Sequence, residues 1–174
     1  MTSGLPGTQP LAPRHDTSGF DCGRPELTLW LRDHGLEAQI ARTARVFVAV
    51  RGKKVVAFYA LAAASADRRE LPAILRKGTP RHPVPLILIA RLGVDLHEQG
   101  KGLGESLLRD ALLRCASAAG VIGAPGVVVH ALDDEARGFY EHFGFERSPI
   151  EPLHLSLPLE SVIESARVAA GREG

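Results

Sequence analysis

Apolar positions along the chain recur in blocks whose spacing changes from helical to extended and back. Leu27, Trp30, Leu31 and Leu36 repeat at three-to-four spacing behind Pro25, a residue whose missing N–H costs nothing in a first helical turn. They predict a helix reaching about residue 42. Val46–Val50 and Val55–Leu61 are β-branched and aromatic runs on either side of Arg51-Gly52-Lys53, the signature of a hairpin. Glu70–Lys77 predicts a short helix ended by Gly78 and Pro80, and Arg81-His82-Pro83-Val84-Pro85 must be extended because its prolines fix φ and remove donors. Leu86–Val94 is apolar enough for a central strand. Leu103, Leu107, Leu108, Ala111, Leu112 and Cys115 then give an amphipathic helix.

After the breakers Gly120, Pro125 and Gly126, Val127–Ala131 predicts another buried strand. Asp133 or Asp134 can cap a helix carrying Ala136, Phe139, Tyr140 and Phe143, which Gly144 ends. Leu153–Leu159 predicts a last strand, and a short polar helix closes the chain. The fold class is therefore mixed α/β, without internal repeats. Residues 1–18, rich in Gly, Pro, Ser and Thr, are expected to form a flexible leader before a single domain over 19–174.

Composition narrows the class. With 174 residues, 45% apolar and 24% charged, the chain can bury a core without disulfides or structural metal. No run nears the ~18 apolar residues of a membrane span, and residues 1–10 lack the pattern of a secretory signal. Cys22 and Cys115 match no metal-ligand spacing, so a cytoplasmic, reduced protein is expected. Cys115 falls on the apolar helix face, and Cys22 has no assigned role. His82, His130, His142 and His154 stand at no metal or triad spacing and are read as packing or surface residues. Net charge is only +1, yet residues 32–91 hold twelve Lys/Arg against four acids, leaving −7 for the rest. Such polarity can steer a polyanion, although taken alone it reads better as solvated surface charge scattered over several elements.

The densest chemical signal is Gln99-Gly100-Lys101-Gly102-Leu103-Gly104, between a strand and a helix. Glycines let successive N–H groups turn toward one point, and the helix N-terminus adds a favourable dipole, so the segment suits a diphosphate. It lacks the Ser/Thr of a P-loop, and its last two glycines are too close for the dinucleotide fingerprint.

Gln99-x-x-Gly102-x-Gly104 resembles the acyl-CoA-binding motif of the GNAT N-acetyltransferases. The resemblance implies a mixed, twisted β-sheet flanked by helices and splayed for acetyl-CoA. It implies backbone donors from Gly100, Lys101, Gly102, Leu103 and Gly104, and main-chain pairing of the acetyl-pantetheine arm with Leu92, Gly93 and Val94. Gly93 stands where the family leads one to expect alanine, and is expected to loosen that strand slightly. Ala136-Arg137-Gly138-Phe139-Tyr140-Glu141-His142-Phe143-Gly144-Phe145 resembles the family's Ala-x-x-Phe-Tyr segment. Taken alone these aromatics read as core packing; the resemblance puts Tyr140 near the CoA sulfur, as the acid that protonates the departing thiolate.

Phe20-Asp21-Cys22-Gly23, Trp30-Leu31, His82-Pro83-Val84-Pro85 and His154-Leu-Ser-Leu-Pro-Leu159 together look like the tRNA-acetylating GNAT toxins of bacterial type II toxin–antitoxin modules. Implied are acetyl-CoA as co-substrate, no metal, acetylation of the α-amino group of aminoacyl-tRNA, and a block of translation. A ribbon-helix-helix antitoxin and a homodimer are implied as partners, with no membrane. An α-amine has a pKa near 7.7–8.0, so much of it is neutral at pH 7, whereas a lysine near 10.4 needs a strong base. The loop offers no compelling base: Asp95 and Glu98 read equally as caps or surface acids. Arg76, Lys77, Arg81 and Arg91 are candidate tRNA contacts, Arg91 being either structural or directed at the acceptor end. Two rivals remain. An acetyltransferase of a small amine or a protein or peptide amine needs no basic half, and a repressor partner of the antitoxin needs no Tyr140.

Overall fold

A computed structural model describes residues 7–79 and 82–172 of the chain. Seven strands form one mixed sheet in the order β1-β2-β3-β4-β5-β7-β6. They are β1 (Gln9–Pro10), β2 (Arg45–Arg51), β3 (Lys54–Ala66), β4 (Val84–Val94), β5 (Gly126–His130), β6 (Glu146–Arg147) and β7 (His154–Pro158). The helices are α1 (Pro25–Trp30), α2 (Leu36–Ala41), α3 (Ala73–Arg76), α4 (Leu103–Ala119), α5 (Asp134–His142) and α6 (Leu159–Arg172). Chain contacts gather into two compact units, residues up to 62 with 90–111, and residues 63–89 with 112 onward.

In the first unit β2 and β3 form the predicted hairpin, turned by Gly52 at φ +66°. Leu11, Phe20, Leu31, Val46, Val48, Val55, Phe58 and Ala60 make its buried core, against which Leu27, Trp30 and Leu36 pack. The single predicted helix is α1 and α2 joined by a π-helical turn, Leu31–Gly35. A Cβ on Gly35 would lie 3.2 Å from Leu31 and 3.3 Å from Leu11, so glycine allows close packing there. Gln39 is buried, donating to the Leu11 carbonyl and accepting from the Val46 N–H. That bond pair ties α2 to the start of β2.

The expectation of a flexible leader fails for its described part. Gln9 and Pro10 pair with Val48 and Phe47, Asp16 accepts from the Val55 N–H, and Thr8 donates to Asp110 at 2.5 Å. These contacts run through backbone groups and short polar side chains, which leave no hydrophobic period to read. Residues 1–6 lie outside the described residues.

In the second unit Leu71, Leu75, Val84, Leu86 and Val128 are buried together. β4 and β5 run parallel from Leu86↔Gly126 to Ile89↔Val129. A Cβ on Gly126 would approach Leu75 to 3.0 Å, so glycine opens β5 where α3 sits. The predicted helix over 70–77 is a short 3₁₀ turn, Arg68–Glu70, capped by Asp67, followed by α3. Pro72 separates the two by withholding an N–H.

Candidate active site

β4 continues five residues past its last pair with β5, so Leu92, Gly93 and Val94 lie beyond the paired stretch. Phe58 and Cys22 fill the space a side chain at 93 would need: a Cβ there would meet Phe58 Cε1 at 3.3 Å and Cys22 Sγ at 3.4 Å. Gly93 thus brings β4 against the core instead of loosening it. Cys22, left unassigned by its sequence context, is buried, and its N–H donates to Thr28 Oγ1 at 3.1 Å.

At the end of β4 the Asp95 N–H donates to the Val56 carbonyl, and the Asp95 carboxylate accepts from the backbone N–H groups of His97 and Asp21. Burial opposes ionisation of this carboxyl, but those N–H bonds, with His97, hold its pKa below the ordinary carboxylate range. Glu98 accepts two bonds from Arg51, at 2.6 and 3.0 Å, and one from Lys101 Nζ at 3.4 Å. Hydrogen bonding from Arg51 keeps it ionised, lowering its pKa despite partial desolvation. Both acids are occupied as cap and ion-pair partner, which makes them poor proton acceptors.

Gln99 turns its side chain inward: Nε2 donates to the Val94 carbonyl at 2.9 Å and to the Cys22 carbonyl at 3.0 Å. These two bonds fix the start of the turn. Gly100 and Gly102 both sit at φ +79°, a conformation that L side chains adopt only at a cost. No atom lies within 4 Å of where their Cβ atoms would be, so the glycines are there for backbone direction and open space. Leu103 is buried and anchors α4, whose first residues include Gly104. A turn with two left-handed glycines leading into a 17-residue helix fits a diphosphate.

Tyr140 lies on α5 in the second unit. Asp133, one of the two expected caps, accepts from the Ala136 N–H at 2.9 Å, and Gly144 ends the helix at φ +94°. Phe139 and Phe145 meet the Tyr140 ring edge-on at 5.2 and 5.5 Å. Tyr140 is buried, and desolvation pushes its phenol well above the ordinary tyrosine range. The phenol is therefore protonated throughout the neutral range, as a proton donor must be.

Of the candidate cationic contacts, Lys77 is exposed and Arg76 half-buried, with the Arg76 carbonyl accepting from Arg68. Arg81 lies outside the described residues. Arg91 holds its guanidinium 4.2 Å from the Trp30 ring centroid. His130 and His154 stack at 3.8 Å across β5 and β7, and burial lowers the His130 pKa. Among the described residues no three His, Cys, Asp or Glu side chains could together hold a metal ion, and no helix is long and apolar enough to cross a membrane.

Residues 42–147 match the acetyltransferase (GNAT) domain family. The chain is 44% identical to a tRNA-acetylating toxin of Mycobacterium tuberculosis, over 97% of this chain and 99% of that protein. Among solved structures it is similar to AtaT complexed with acetyl-methionyl-tRNAfMet, with TM-score 0.84, 27% identity, and 90% and 96% of the two chains covered. It is also similar to an AtaT variant bound to the C-terminus of the antitoxin AtaR and to acetyl-CoA, with TM-score 0.76, 25% identity, and 89% and 94% covered.

Proposed function

The chain belongs to the GNAT acetyltransferase family, and from that premise we propose that it moves the acetyl group of acetyl-CoA onto the α-amino group of aminoacyl-tRNA. The observation that carries this reading is the pair of left-handed glycines opening α4 directly after β4. We assign the backbone of Gly100–Gly104 to the CoA diphosphate and that of Leu92–Val94 to the acetyl-pantetheine arm. The relative from Mycobacterium tuberculosis, alike over almost its whole length, supplies the substrate class.

Acetyl-CoA supplies an activated acyl carbon. The neutral amine attacks it, a C–N bond forms, the C–S bond breaks, and the thiolate takes the proton of Tyr140 Oη. The excess proton on the new amide nitrogen passes to water, and solvent reprotonates Tyr140. No side-chain base is required, because an aminoacyl α-amine already has a large neutral fraction at pH 7. The engagement of Asp95 and Glu98 in other bonds supports that economy. Blocking the amine stops the charged tRNA from serving translation. We further propose a cytoplasmic homodimer neutralised by a ribbon-helix-helix antitoxin.

Radiolabelled acetyl-CoA, the purified chain and a pool of charged tRNA test the reading. Label in tRNA that is lost on deacylation is expected. Labelled small amines or peptides with unlabelled tRNA would overturn it.

A further inference from the structure

β4 sends Arg91 and Gly93 to one face of the sheet, since residues two apart on a strand share a face. The Gly93 position abuts the Phe58 ring, Trp30 stacks on that ring at 6.2 Å and 14°, and the Arg91 guanidinium lies over the Trp30 ring, 4.2 Å from its centroid. This cation–π contact restrains the Arg91 guanidinium at the surface of the Trp30 ring. Among the described residues no carboxylate or carbonyl accepts from Arg91, in contrast to Arg51, Arg69 and Arg147, each held by an acid. Burial also lowers the pKa of Arg91, so the protein spends desolvation on a cation it leaves without a counter-charge.

The opposite face is where α4 lies. Tyr59, the neighbour of Phe58, points that way and donates to Asp110 of α4 at 2.6 Å. The glycine turn that opens α4 provides its own N–H groups for the CoA phosphates. Arg91 is thus a ring-restrained, unneutralised donor beside the strand residues assigned to the acetyl arm, on the face away from α4.

We propose that Arg91, held over the Trp30 ring, is a specificity-determining residue that grips a phosphate next to the aminoacylated 3′ end of the acceptor tRNA. This inference rests on the aminoacyl-tRNA reading above and names the residue that selects a phosphate-bearing acceptor over a bare aminoacyl ester. A planar guanidinium suits phosphate, and a fixed one loses little freedom on binding. Trp30 is its positioning residue.

The test compares two acceptors, charged tRNA and the same aminoacyl ester on adenosine without phosphates, with wild type, Arg91→Gln, Arg91→Lys and Trp30→Leu. The ratio of kcat/KM for tRNA over the adenosine ester is expected to fall about tenfold in Arg91→Gln. It should fall less in Arg91→Lys, which keeps the charge, and partly in Trp30→Leu, which keeps the charge but removes the ring that restrains it. Binding of uncharged tRNA at several salt concentrations should show a log–log slope shallower by about 0.7–0.9 in Arg91→Gln. An unchanged ratio and slope, or a loss confined to the KM for acetyl-CoA, would overturn the assignment. A wild-type chain that acetylates neither acceptor would instead overturn the substrate class. The salt slope would then still decide whether Arg91 meets a phosphate.

Discussion

Tyr140 and Gly93 show how the burial of a single side chain, or its absence, sets what a position can do. Burial raises the Tyr140 phenol far enough that it never ionises near neutrality. Tyr140→Phe is therefore expected to lower kcat by about 10²–10⁴-fold, the range of a lost general acid, while the melting temperature shifts little. The pH profile of kcat/KM should rise as the acceptor amine loses its proton and show no fall from Tyr140 up to pH 10. At Gly93 the extra methyl of Gly93→Ala must push Phe58 or Cys22 aside. An expected cost of about 1–2 kcal/mol corresponds to a Tm loss of roughly 2–8 °C by calorimetry. Cys115 is buried, and desolvation lifts its thiol from 9.0 to about 12. A raised folded pKa favours the protonated form, so its contribution to stability is intact below pH 9 and is lost as pH climbs from there toward 12. Thiol titration with Ellman's reagent should accordingly find Cys115 unreactive until the chain is denatured.

The glycine turn acts as an element and not as a set of side chains. Gln99 bolts its start to Val94 and Cys22, and the two left-handed glycines aim the backbone that follows. Gly102→Val places an L side chain at φ +79°, a strain of about 1–2 kcal/mol, where the space around its Cβ is open. It is expected to weaken acetyl-CoA binding, read by calorimetry, by about tenfold or more while the far-UV spectrum is kept. This turn could be read directly from the sequence, because glycine spacing after an apolar run has a single conformational meaning. So could β2, β3, β4, α4, β5 and α5, whose apolar periods were clear. The inward turn of Gln99 could not, because a motif letter does not say whether the side chain or the backbone serves the ligand. β1 and β6 were hidden for another reason. Each is two residues long and joins the sheet through backbone bonds alone. The π-helical turn inside the first helix was hidden as well, since its apolar spacing satisfies either geometry.

For the whole molecule, charge is the property that composition understates. A net charge of +1 conceals the surplus of eight positive charges over residues 32–91. Two of those cations are committed to acids within the fold, Arg51 to Glu98 and Arg69 to Asp67. Exposed Arg32, Arg42, Arg45, Lys53, Lys54 and Lys77 remain. If they meet tRNA phosphates, the rate with charged tRNA should drop steeply as salt rises from 50 to 200 mM, whereas the rate with an uncharged aminoacyl ester should hold. The most direct test of the central claim locates the transferred group. Charged tRNA treated with acetyl-CoA and the chain is digested with nuclease, and the 3′-terminal aminoacyl-adenosine is weighed by mass spectrometry. One added acetyl group on the amino acid, absent with Tyr140→Phe, is the predicted result. An unmodified aminoacyl-adenosine, or an acetyl group on a base or ribose, would contradict it.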